Sequence, residues 1–417
     1  MYAACILTRF NGSSDRANSG NWSGPLKVGA QHFVITNRGH AMKMKAVILF
    51  EAGAAAPYAK SQPLRVEEVD LDPPQSNELL VRIGGAGLCH SDLSVINASM
   101  PRALPMVMGH EGAGEVVEIG SNIGDVEVGD HVVFQFRASC GRCRRCAEGR
   151  PALCEVSAKA KATGGLMGGG KRLSLDGKPI SHHSGISCMA EYAVVDRGTV
   201  VVIDKDLPLD EAAIFGCAVM TGVGAVTNTA RVRAGDTVAI VGLGGVGLNA
   251  LLGAKLGGAE RIIAVDVSDD KLGLARQLGA TETYNATDAD CVANILEETK
   301  GGVDFAIETA GAIAAMETCY AILRTGGRVI AAGLPPAKDS FSFKPAQLVS
   351  EERGILGSSM GSCVPVRDIP RYINLYRQGR LPVDRLIDAR IGFDEINTGF
   401  DRLTDGAVVR QILVPHL

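Results

Sequence analysis

One segment in the middle of the chain limits the fold more than any other. Thr237–Val241 is an apolar run of strand length, followed at once by the glycine-rich sequence 242–247 and by a helical pattern over 247–257. Strand and helix patterns then alternate, at residues 261–265, 269–278, 303–307, 312–323 and 328–332. This alternation predicts an α/β fold with a parallel, doubly wound sheet.

The glycine-rich turn has the spacing of a dinucleotide-binding site. Gly242 allows the tight turn, Gly244 lets the backbone approach a pyrophosphate, and Gly247 lets the helix pack close to the strand. Gly245 and Val246 complete the turn, at a helix N-terminus whose free N–H groups favour an anion. A glycine turn of purely structural use is the alternative.

The next predicted strand leads to an acid, Asp266, which lies 19 residues beyond Gly247. An acid at this position accepts hydrogen bonds from the ribose hydroxyls of the adenosine, and it repels a 2′-phosphate. The sequence therefore predicts NAD, rather than NADP, as the cofactor.

The composition restricts the class of protein. The chain has 417 residues, of which 46% are hydrophobic and 21% charged, and this predicts a folded protein of two domains. The formal net charge is −4 and no basic block occurs, so we expect no nucleic-acid partner. No apolar run reaches the roughly 20 residues of a membrane span, so we expect no membrane partner and a cytoplasmic protein.

Two stretches lack a clear hydrophobic pattern. Residues 1–43 are interpreted as a disordered N-terminal extension or as the product of a misassigned start codon, with a faint likeness to a transit peptide as the alternative. A strand is predicted to begin at Met44. Residues 159–187, rich in Gly, Lys and His, are predicted to form a long surface loop. Short strands are predicted elsewhere in the first part of the chain, at 78–83, 114–119 and 131–136.

Four cysteines lie close together in the sequence. Cys140, Cys143, Cys146 and Cys154 supply four thiolates, the ligand set of a closed, tetrahedral zinc site. A closed site stabilises the surrounding chain and does no chemistry. A nucleic-acid-binding zinc module is the alternative, but no recognition helix or second Cys/His pair accompanies the cysteines.

A second set of metal-binding residue types is dispersed. Cys89 stands in the sequence GLCHSDL, His110 in GHEG and Cys217 in FGC. Two thiolates and one imidazole leave a fourth position for water or substrate, which is the composition of a catalytic zinc site. Taken singly, each residue is better explained as a core thiol or as a satisfied histidine.

Taken together, these motifs resemble those of the zinc-dependent alcohol dehydrogenases of the medium-chain dehydrogenase/reductase superfamily. The combination comprises GHEGAGEV, the four-cysteine lobe and FGCAVMTG, and the resemblance extends from about Met44 to Val414. It implies an α/β protein in which a Rossmann domain interrupts a β-rich, GroES-like catalytic domain. The implied segments are 1–43 for the extension, 44–218 and 360–417 for the catalytic domain, and 219–359 for the Rossmann NAD-binding domain.

The resemblance also implies roles for the residues that match the family's motifs. These are the catalytic zinc ligands Cys89, His110 and Cys217 with the adjacent carboxylate Glu111; Asp92, which orients His110; Ser91, which receives the alcohol proton; Phe136 in the substrate pocket; and Lys271 and Arg410, which contact the ribose and the pyrophosphate of NAD.

Two positions depart from the family's pattern. Ser94 stands where the proton relay often continues through a histidine, so the proton leaves through water or more slowly, unless Ser94 is an ordinary serine of the helix surface. His90 stands where many members carry a pyrophosphate-binding arginine. This predicts weaker binding of NAD, with a solvated side chain of no function as the alternative.

The implied activity is the reversible, NAD-linked oxidation of an alcohol to its aldehyde by a homodimer or homotetramer with two zinc ions per subunit. A glutathione-dependent formaldehyde dehydrogenase is the close alternative; it needs basic groups for its anionic substrate, and we identify no such set in the sequence. A non-catalytic NAD-binding protein is the remote alternative. Five apolar residues suggest a pocket for medium-chain or aromatic primary alcohols: Ile96, Met100, Leu104, Met106 and Val107.

Overall fold

The computed structural model describes residues 41–417, and the rest of the predicted N-terminal extension lies outside the described residues. The strand predicted to begin at Met44 begins two residues earlier. The strands, in chain order, are β1 (Met42–Leu49), β2 (Leu64–Leu71), β3 (Glu78–Gly87), β4 (Met106–Val107), β5 (Gly112–Ile119), β6 (His131–Phe134), β7 (Leu173–Leu175), β8 (Lys178–His182), β9 (Tyr192–Asp196), β10 (Val200–Ile203), β11 (Thr237–Val241), β12 (Arg261–Asp266), β13 (Glu282–Asn285), β14 (Val303–Glu308), β15 (Leu323–Ala331), β16 (Gly354–Gly357), β17 (Ala389–Ile391) and β18 (Gln411–Leu413).

The helices are mostly short and lie between these strands. In the described residues, no single helix is long and apolar enough to cross a membrane; one bent pair, Leu209–Gly216 with Ala218–Ala230, meets the criteria of length and composition. The α-helices are α1 (Tyr58–Ser61), α2 (His90–Ile96), α3 (Arg144–Ala147), α4 (Glu155–Thr163), α5 (Leu209–Ala212), α6 (Ala218–Gly224), α7 (Gly245–Gly257), α8 (Asp269–Leu278), α9 (Cys291–Glu298), α10 (Ile313–Ala321), α11 (Pro345–Ser350), α12 (Pro365–Arg377) and α13 (Ile396–Thr404).

The second half of the chain forms the predicted parallel sheet. Its six strands have the order β13-β12-β11-β14-β15-β16, which is the order of a Rossmann fold. β11 and α8 have the predicted bounds, whereas β15 starts at Leu323 rather than at residue 328, because Leu323 already pairs with Val303 before the register shifts. From β11 the chain adds strands toward one edge of the sheet, and from β14 toward the other edge. The glycine turn follows β11, at the point where this direction changes.

The first part of the chain and its last segment form the β-rich part. Five strands close a barrel in the order β1-β2-β7-β8-β4, and a second sheet has the order β10-β6-β5-β3-β18-β17, with β9 also paired to β3. β18 pairs with β3, so the chain returns to this part after the parallel sheet. Three strands differ from their predicted bounds: β3 continues to Gly87, β5 begins at Gly112 and β6 ends at Phe134.

The prediction of a surface loop over residues 159–187 is wrong. The segment contains the end of α4, the hairpin of β7 and β8, and buried side chains such as Arg172 and His183. β8 pairs in parallel with β4 and is therefore one of the five strands of the barrel. Strands of three to five residues are too short to show a periodic pattern, and the burial of Arg172 depends on a partner that is far away in the sequence.

That partner is Glu78 at the start of β3. The guanidinium of Arg172 donates from Nε and Nη2 to the two carboxylate oxygens, at 2.8 and 2.7 Å, and both side chains are buried. A bidentate pair of this kind satisfies both charges inside the protein. It holds the segment before β7 and β8 against the second sheet.

We expect Arg172→Met to lower the free energy of unfolding by about 3–5 kcal/mol, because it leaves the carboxylate of Glu78 buried without its partner. Urea denaturation of the two proteins measures the difference. The matched control is Arg82→Met, which breaks the half-exposed pair with Glu115 and should cost at most about 1 kcal/mol. Equal effects of the two substitutions would contradict this account of the buried pair.

Candidate active site

Four side chains from three separate segments meet at the predicted catalytic centre. Cys89 precedes α2, and Cys217 precedes α6. His110 and Glu111 lie between β4 and β5. One ligand atom of each lies within 4.8 Å of the others, and all four side chains are buried. The fold thus brings together residue types that the sequence shows only as a dispersed set.

Asp92 holds the imidazole of His110 in one orientation. Its Oδ1 is 2.9 Å from Nδ1 of His110, and its Oδ2 accepts a hydrogen bond from the backbone N–H of Cys89 at 3.1 Å. Burial opposes protonation of His110, but the carboxylate of Asp92 overcomes it and raises the pKa of the imidazole to about 10. With Nδ1 directed at Asp92, Nε2 faces the two cysteines, and a metal that binds there displaces the proton of Nε2.

Glu111 is a buried carboxylate without a hydrogen bond. Its Oε2 is 3.4 Å from Nη1 of Arg410, but neither oxygen has a partner in hydrogen-bond geometry among the described residues. Burial raises the pKa of Glu111 to about 7, although Arg410 opposes this shift. Gly87 leaves room for the carboxylate, because a Cβ at this position would lie 2.8 Å from Glu111 Oε1.

This donor set fits zinc. In a tetrahedral zinc site, a nitrogen and a sulfur ligand are roughly 3.5 Å apart. Sγ of Cys217 is 3.6 Å from Nε2 of His110. Two thiols, an imidazole nitrogen and a carboxylate that has no hydrogen bond among the described residues are buried together, and a dication at their centre would satisfy all of them.

The four-cysteine lobe has a similar geometry without a carboxylate. Sγ of Cys143 is 3.5 Å from that of Cys146 and 3.9 Å from that of Cys154. Sulfurs around a tetrahedral zinc are roughly 3.8 Å apart, so these separations suit the ion. Backbone N–H groups, that of Cys146 first, lower the pKa of the Cys143 thiol to about 6. The backbone N–H of Cys143 also donates to Sγ of Cys140, at 3.3 Å.

The glycine turn has the geometry that a dinucleotide needs. Gly242 has a φ of +91°, which favours glycine. A Cβ on Gly247 would lie 1.8 Å from the carbonyl oxygen of Gly242, so this glycine allows α7 to pack against the turn. A Cβ on Gly244 would meet no described protein atom within 4 Å, which leaves this side of the turn open to a ligand. α7 begins at Gly245, with Val246 as its second residue.

The predicted cofactor contacts surround this turn. Asp266, the last residue of β12, is buried, and its carboxylate accepts hydrogen bonds from the backbone of Leu243 at 2.5 Å and of Ser268 at 3.0 Å. Lys271 lies in the first turn of α8. His90 is the exposed first residue of α2, within electrostatic reach of Lys271 and of Arg410.

Arg410 connects the glycine turn with the candidate metal site. It is buried, and its Nη1 donates to the carbonyl of Leu88 at 2.8 Å. A Cβ on Gly245 would lie 2.5 Å from its Nη2, so the guanidinium lies directly against the start of α7. The same guanidinium lies 3.4 Å from Glu111.

Three further predicted residues lie near the metal ligands. Ser91 is the second residue of α2 and is half-buried. Phe136 places its ring edge-on to that of His110, with 6.0 Å between the centroids. The hydroxyl of Ser94 donates to the carbonyl of His90 at 2.9 Å, as expected for a serine of the helix surface.

Three of the five apolar residues within 96–108 that were expected to line a pocket lie in the core instead. Ile96, Met106 and Val107 are completely or almost completely buried in the hydrophobic core, so they do not line an accessible pocket. Met100 and Leu104 are half-buried. The prediction was wrong for the first three because apolar residues in a short segment have the same composition whether they face a ligand or the core.

His183 belongs to the site, although the sequence did not suggest it. Its Nδ1 is 3.1 Å from Oδ1 of Asp92, without hydrogen-bond geometry, and its ring is 5.1 Å from that of His110. Asp92, His110 and His183 form a second group of possible metal ligands. The only available signal was the pair of adjacent histidines at the end of β8.

We expect Asp92→Asn to weaken zinc binding at the candidate catalytic site by about 10- to 100-fold, because the imidazole of His110 loses its charged partner. Competition with a zinc chelator measures the affinity. The four-cysteine lobe, which does not contain Asp92, should keep its zinc. Glu118→Gln, at an exposed position of β5, is the control. An unchanged affinity in the Asp92 variant would contradict the orienting role.

We expect Gly244→Ala to leave the melting temperature unchanged and to weaken NAD binding by about 5- to 150-fold. The added methyl meets no described protein atom, but it occupies the open side of the turn, where overpacking costs about 1–3 kcal/mol. Calorimetric titration with NAD measures the effect. Gly124→Ala, whose Cβ also meets nothing within 4 Å, is the control. Undiminished NAD affinity would show that the pyrophosphate lies elsewhere.

Comparison with known proteins agrees with this geometry. The alcohol dehydrogenase GroES-like domain matches residues 75–205, and the zinc-binding dehydrogenase family matches residues 245–378. The alcohol dehydrogenase class-P of Arabidopsis thaliana is 36% identical over 91% of this chain and 99% of its own. The S-(hydroxymethyl)glutathione dehydrogenase of Paracoccus denitrificans is 35% identical over 89% of this chain and 100% of its own.

The crystal structure of benzyl alcohol dehydrogenase from Acinetobacter calcoaceticus superposes with a TM-score of 0.83, at 34% identity, over 90% of this chain and 99% of that one. The similarity to these proteins, in sequence and in structure, therefore covers both the β-rich part and the parallel sheet. The chain belongs to the zinc-dependent alcohol dehydrogenases of the medium-chain dehydrogenase/reductase superfamily, and it is an oxidoreductase that uses zinc and NAD.

Proposed function

We propose that the protein oxidises a primary alcohol to its aldehyde, reversibly, at the site formed by Cys89, His110, Glu111 and Cys217. The observation that carries this proposal is the position of Arg410. Its guanidinium lies 3.4 Å from Glu111 and directly against Gly245, so the candidate metal site and the cofactor turn are adjacent. Alcohol oxidation by hydride transfer needs a group that polarises the hydroxyl and a nicotinamide within reach of the same carbon.

Each residue of the site then has a defined task. Zinc, when bound, supplies a Lewis acid that lowers the pKa of the alcohol hydroxyl. Asp92 keeps Nε2 of His110 directed at the metal. Ser91, in the first turn of α2 beside Cys89, takes the hydroxyl proton and passes it toward solvent. Ser94 does not continue this path, because its hydroxyl donates to the helix backbone, so we propose that water carries the proton onward.

The preference for NAD over NADP rests on Asp266. Its carboxylate lies at the end of β12, where backbone N–H groups of Leu243 and Ser268 fix both oxygens. Each oxygen keeps a lone pair for a ribose hydroxyl. A fixed carboxylate at this position repels a 2′-phosphate, which supports NAD as the hydride acceptor.

S-(hydroxymethyl)glutathione is the second candidate substrate. Two relatives, from Paracoccus denitrificans and from a Synechocystis strain, are named S-(hydroxymethyl)glutathione dehydrogenases, and each is 35% identical to this chain. Formaldehyde oxidation that requires glutathione favours this candidate. Oxidation of simple primary alcohols without glutathione favours the first one.

We further propose that the subunits form a homodimer or a homotetramer through the edge of the parallel sheet. β16 is an edge strand, and its Leu356 is exposed. An exposed apolar residue on an edge strand favours pairing with a second sheet. A cytoplasmic location, without nucleic-acid or membrane partners, stays a prediction.

Elemental analysis together with NADH formation tests the proposal. We expect two zinc ions per subunit and NADH that appears only with an alcohol. Cys217→Ala should lose one zinc and all turnover while it still binds NAD, because the glycine turn is untouched. Cys291→Ala, in the core beside the parallel sheet, is the control and should keep both zinc ions. Full activity of the Cys217 variant would overturn the assignment; one zinc and no NADH in the natural protein would favour a non-catalytic NAD-binding protein.

A further inference from the structure

The hydroxyl of Thr309 contacts the first carbonyl of the glycine turn. Thr309 directly follows β14, the strand that pairs with β11, and its backbone N–H donates to the carbonyl of Val241 at 3.0 Å. Its hydroxyl oxygen is 2.6 Å from the carbonyl oxygen of Gly242 and 3.1 Å from that of Val241. A hydroxyl has one proton to donate, and the shorter distance directs this proton mainly to Gly242.

The same peptide group is held at its other end by Asp266. The carbonyl of Gly242 and the N–H of Leu243 belong to one planar peptide group. This N–H donates to the carboxylate of Asp266 at 2.5 Å. Asp266 ends β12 and Thr309 follows β14, and these two strands lie on either side of β11. A donor from one side and an acceptor from the other therefore fix the orientation of the peptide group.

This peptide group needs outside support because a glycine precedes it. Gly242 has no Cβ, so its backbone dihedral angles are restricted less than those of any other residue. Leu243 is different, because its side chain is completely buried in the hydrophobic core and anchors the chain there. If the peptide group rotated between these two residues, the carbonyl oxygen would replace the N–H beside the carboxylate of Asp266. The hydrogen bond from Thr309 opposes this rotation.

Two glycines of the turn leave room for the segment that carries Thr309. A Cβ on Gly247 would lie 2.7 Å from the hydroxyl oxygen of Thr309. A Cβ on Gly242 would lie 2.7 Å from the backbone nitrogen of Ala310. The segment after β14 thus packs directly against the turn. Gly247 therefore has a second role besides the packing of α7, since it leaves the space in which the hydroxyl reaches Gly242.

We propose that Thr309 is a positioning residue for NAD, which keeps the peptide group between Gly242 and Leu243 in the orientation that the pyrophosphate needs. In this orientation the turn directs its first carbonyl at Thr309, and the N–H groups at the start of α7 are left to face the anion. Without the hydroxyl, only part of the protein has a competent turn, and the apparent affinity for NAD falls by that fraction. The inference rests on the glycine turn as the site of NAD in the proposed function, and not on the identity of the alcohol.

Calorimetric titration with NADH tests the role of the hydroxyl. We expect Thr309→Val and Thr309→Ala each to weaken NADH binding by about 2- to 13-fold, which corresponds to the loss of one neutral hydrogen bond. Thr309→Ser keeps the hydroxyl and should retain the affinity of the natural protein. The matched control is Thr318→Val, which should change nothing. Thr318 is also half-buried, and its hydroxyl donates to the carbonyl of Ala314 within α10 at 3.0 Å.

Titration with ADP-ribose locates the effect along the cofactor. This molecule contains the adenosine and the pyrophosphate but no nicotinamide, so we expect the Thr309 variants to weaken its binding by the same factor as that of NADH. In steady-state assays the KM for NAD should rise in the Val and Ala variants. The KM for the alcohol should stay the same and kcat at saturating NAD should not fall, because the lost hydrogen bond lies at the turn and not at the metal ligands. A general loosening of the fold would lower kcat as well.

Three results would overturn the positioning role of Thr309. The Val and Ala variants could bind NADH as well as the natural protein, the Ser variant could lose as much affinity as they do, or the loss could affect NADH and spare ADP-ribose. If Gly244→Ala weakens NAD binding while Thr309→Val does not, the glycine turn stands as the NAD site and only the role of Thr309 fails. Binding of NADH that depends on the hydroxyl, in a protein that oxidises no alcohol, would support the role of Thr309 and overturn the proposed function.

Discussion

The buried guanidinium of Arg410 is the interaction on which the arrangement of the site depends. A buried cation requires compensation, and Arg410 finds it in Glu111, in the carbonyl of Leu88 and in the electrostatic field of the two site cysteines. Burial opposes its charge, but Glu111 first and then the cysteines raise its pKa further above its usual range. Because Arg410 also packs against Gly245, one side chain of the returning segment connects the β-rich part with the glycine turn.

The features that the sequence predicted well are those encoded over short distances. β11, the glycine turn and α8 follow from local spacing. So does the four-cysteine lobe, in which the sulfur of Cys143 lies 3.5 Å from that of Cys146 and 3.9 Å from that of Cys154. The dispersed set of Cys89, His110 and Cys217 has no spacing rule, and only the family resemblance selected it from among the other cysteines and histidines. Its geometry became visible once the three segments were folded together.

The features that the sequence did not predict depend on partners far away in the chain. Arg172 is buried because Glu78, which lies 94 residues earlier, accepts its two hydrogen bonds. The glycine-rich stretch around Arg172 contains no residue pattern that indicates such a partner, so the sequence predicts a surface loop there. The sequence also does not predict that His183 lies beside Asp92, because the two residues are far apart in the chain. The buried Ile96 shows the complementary limit, since apolarity alone does not distinguish core from pocket.

Residues 159–187, for which the prediction of a surface loop is wrong, form part of the surroundings of the metal site. β8 pairs with β4, the strand that leads into His110. The residue after β8 is His183, whose ring stacks edge-on to His110 and lies against the same carboxylate, Asp92. The ion pair of Arg172 therefore does more than stabilise the barrel. It fixes the segment that places one histidine beside the metal ligands.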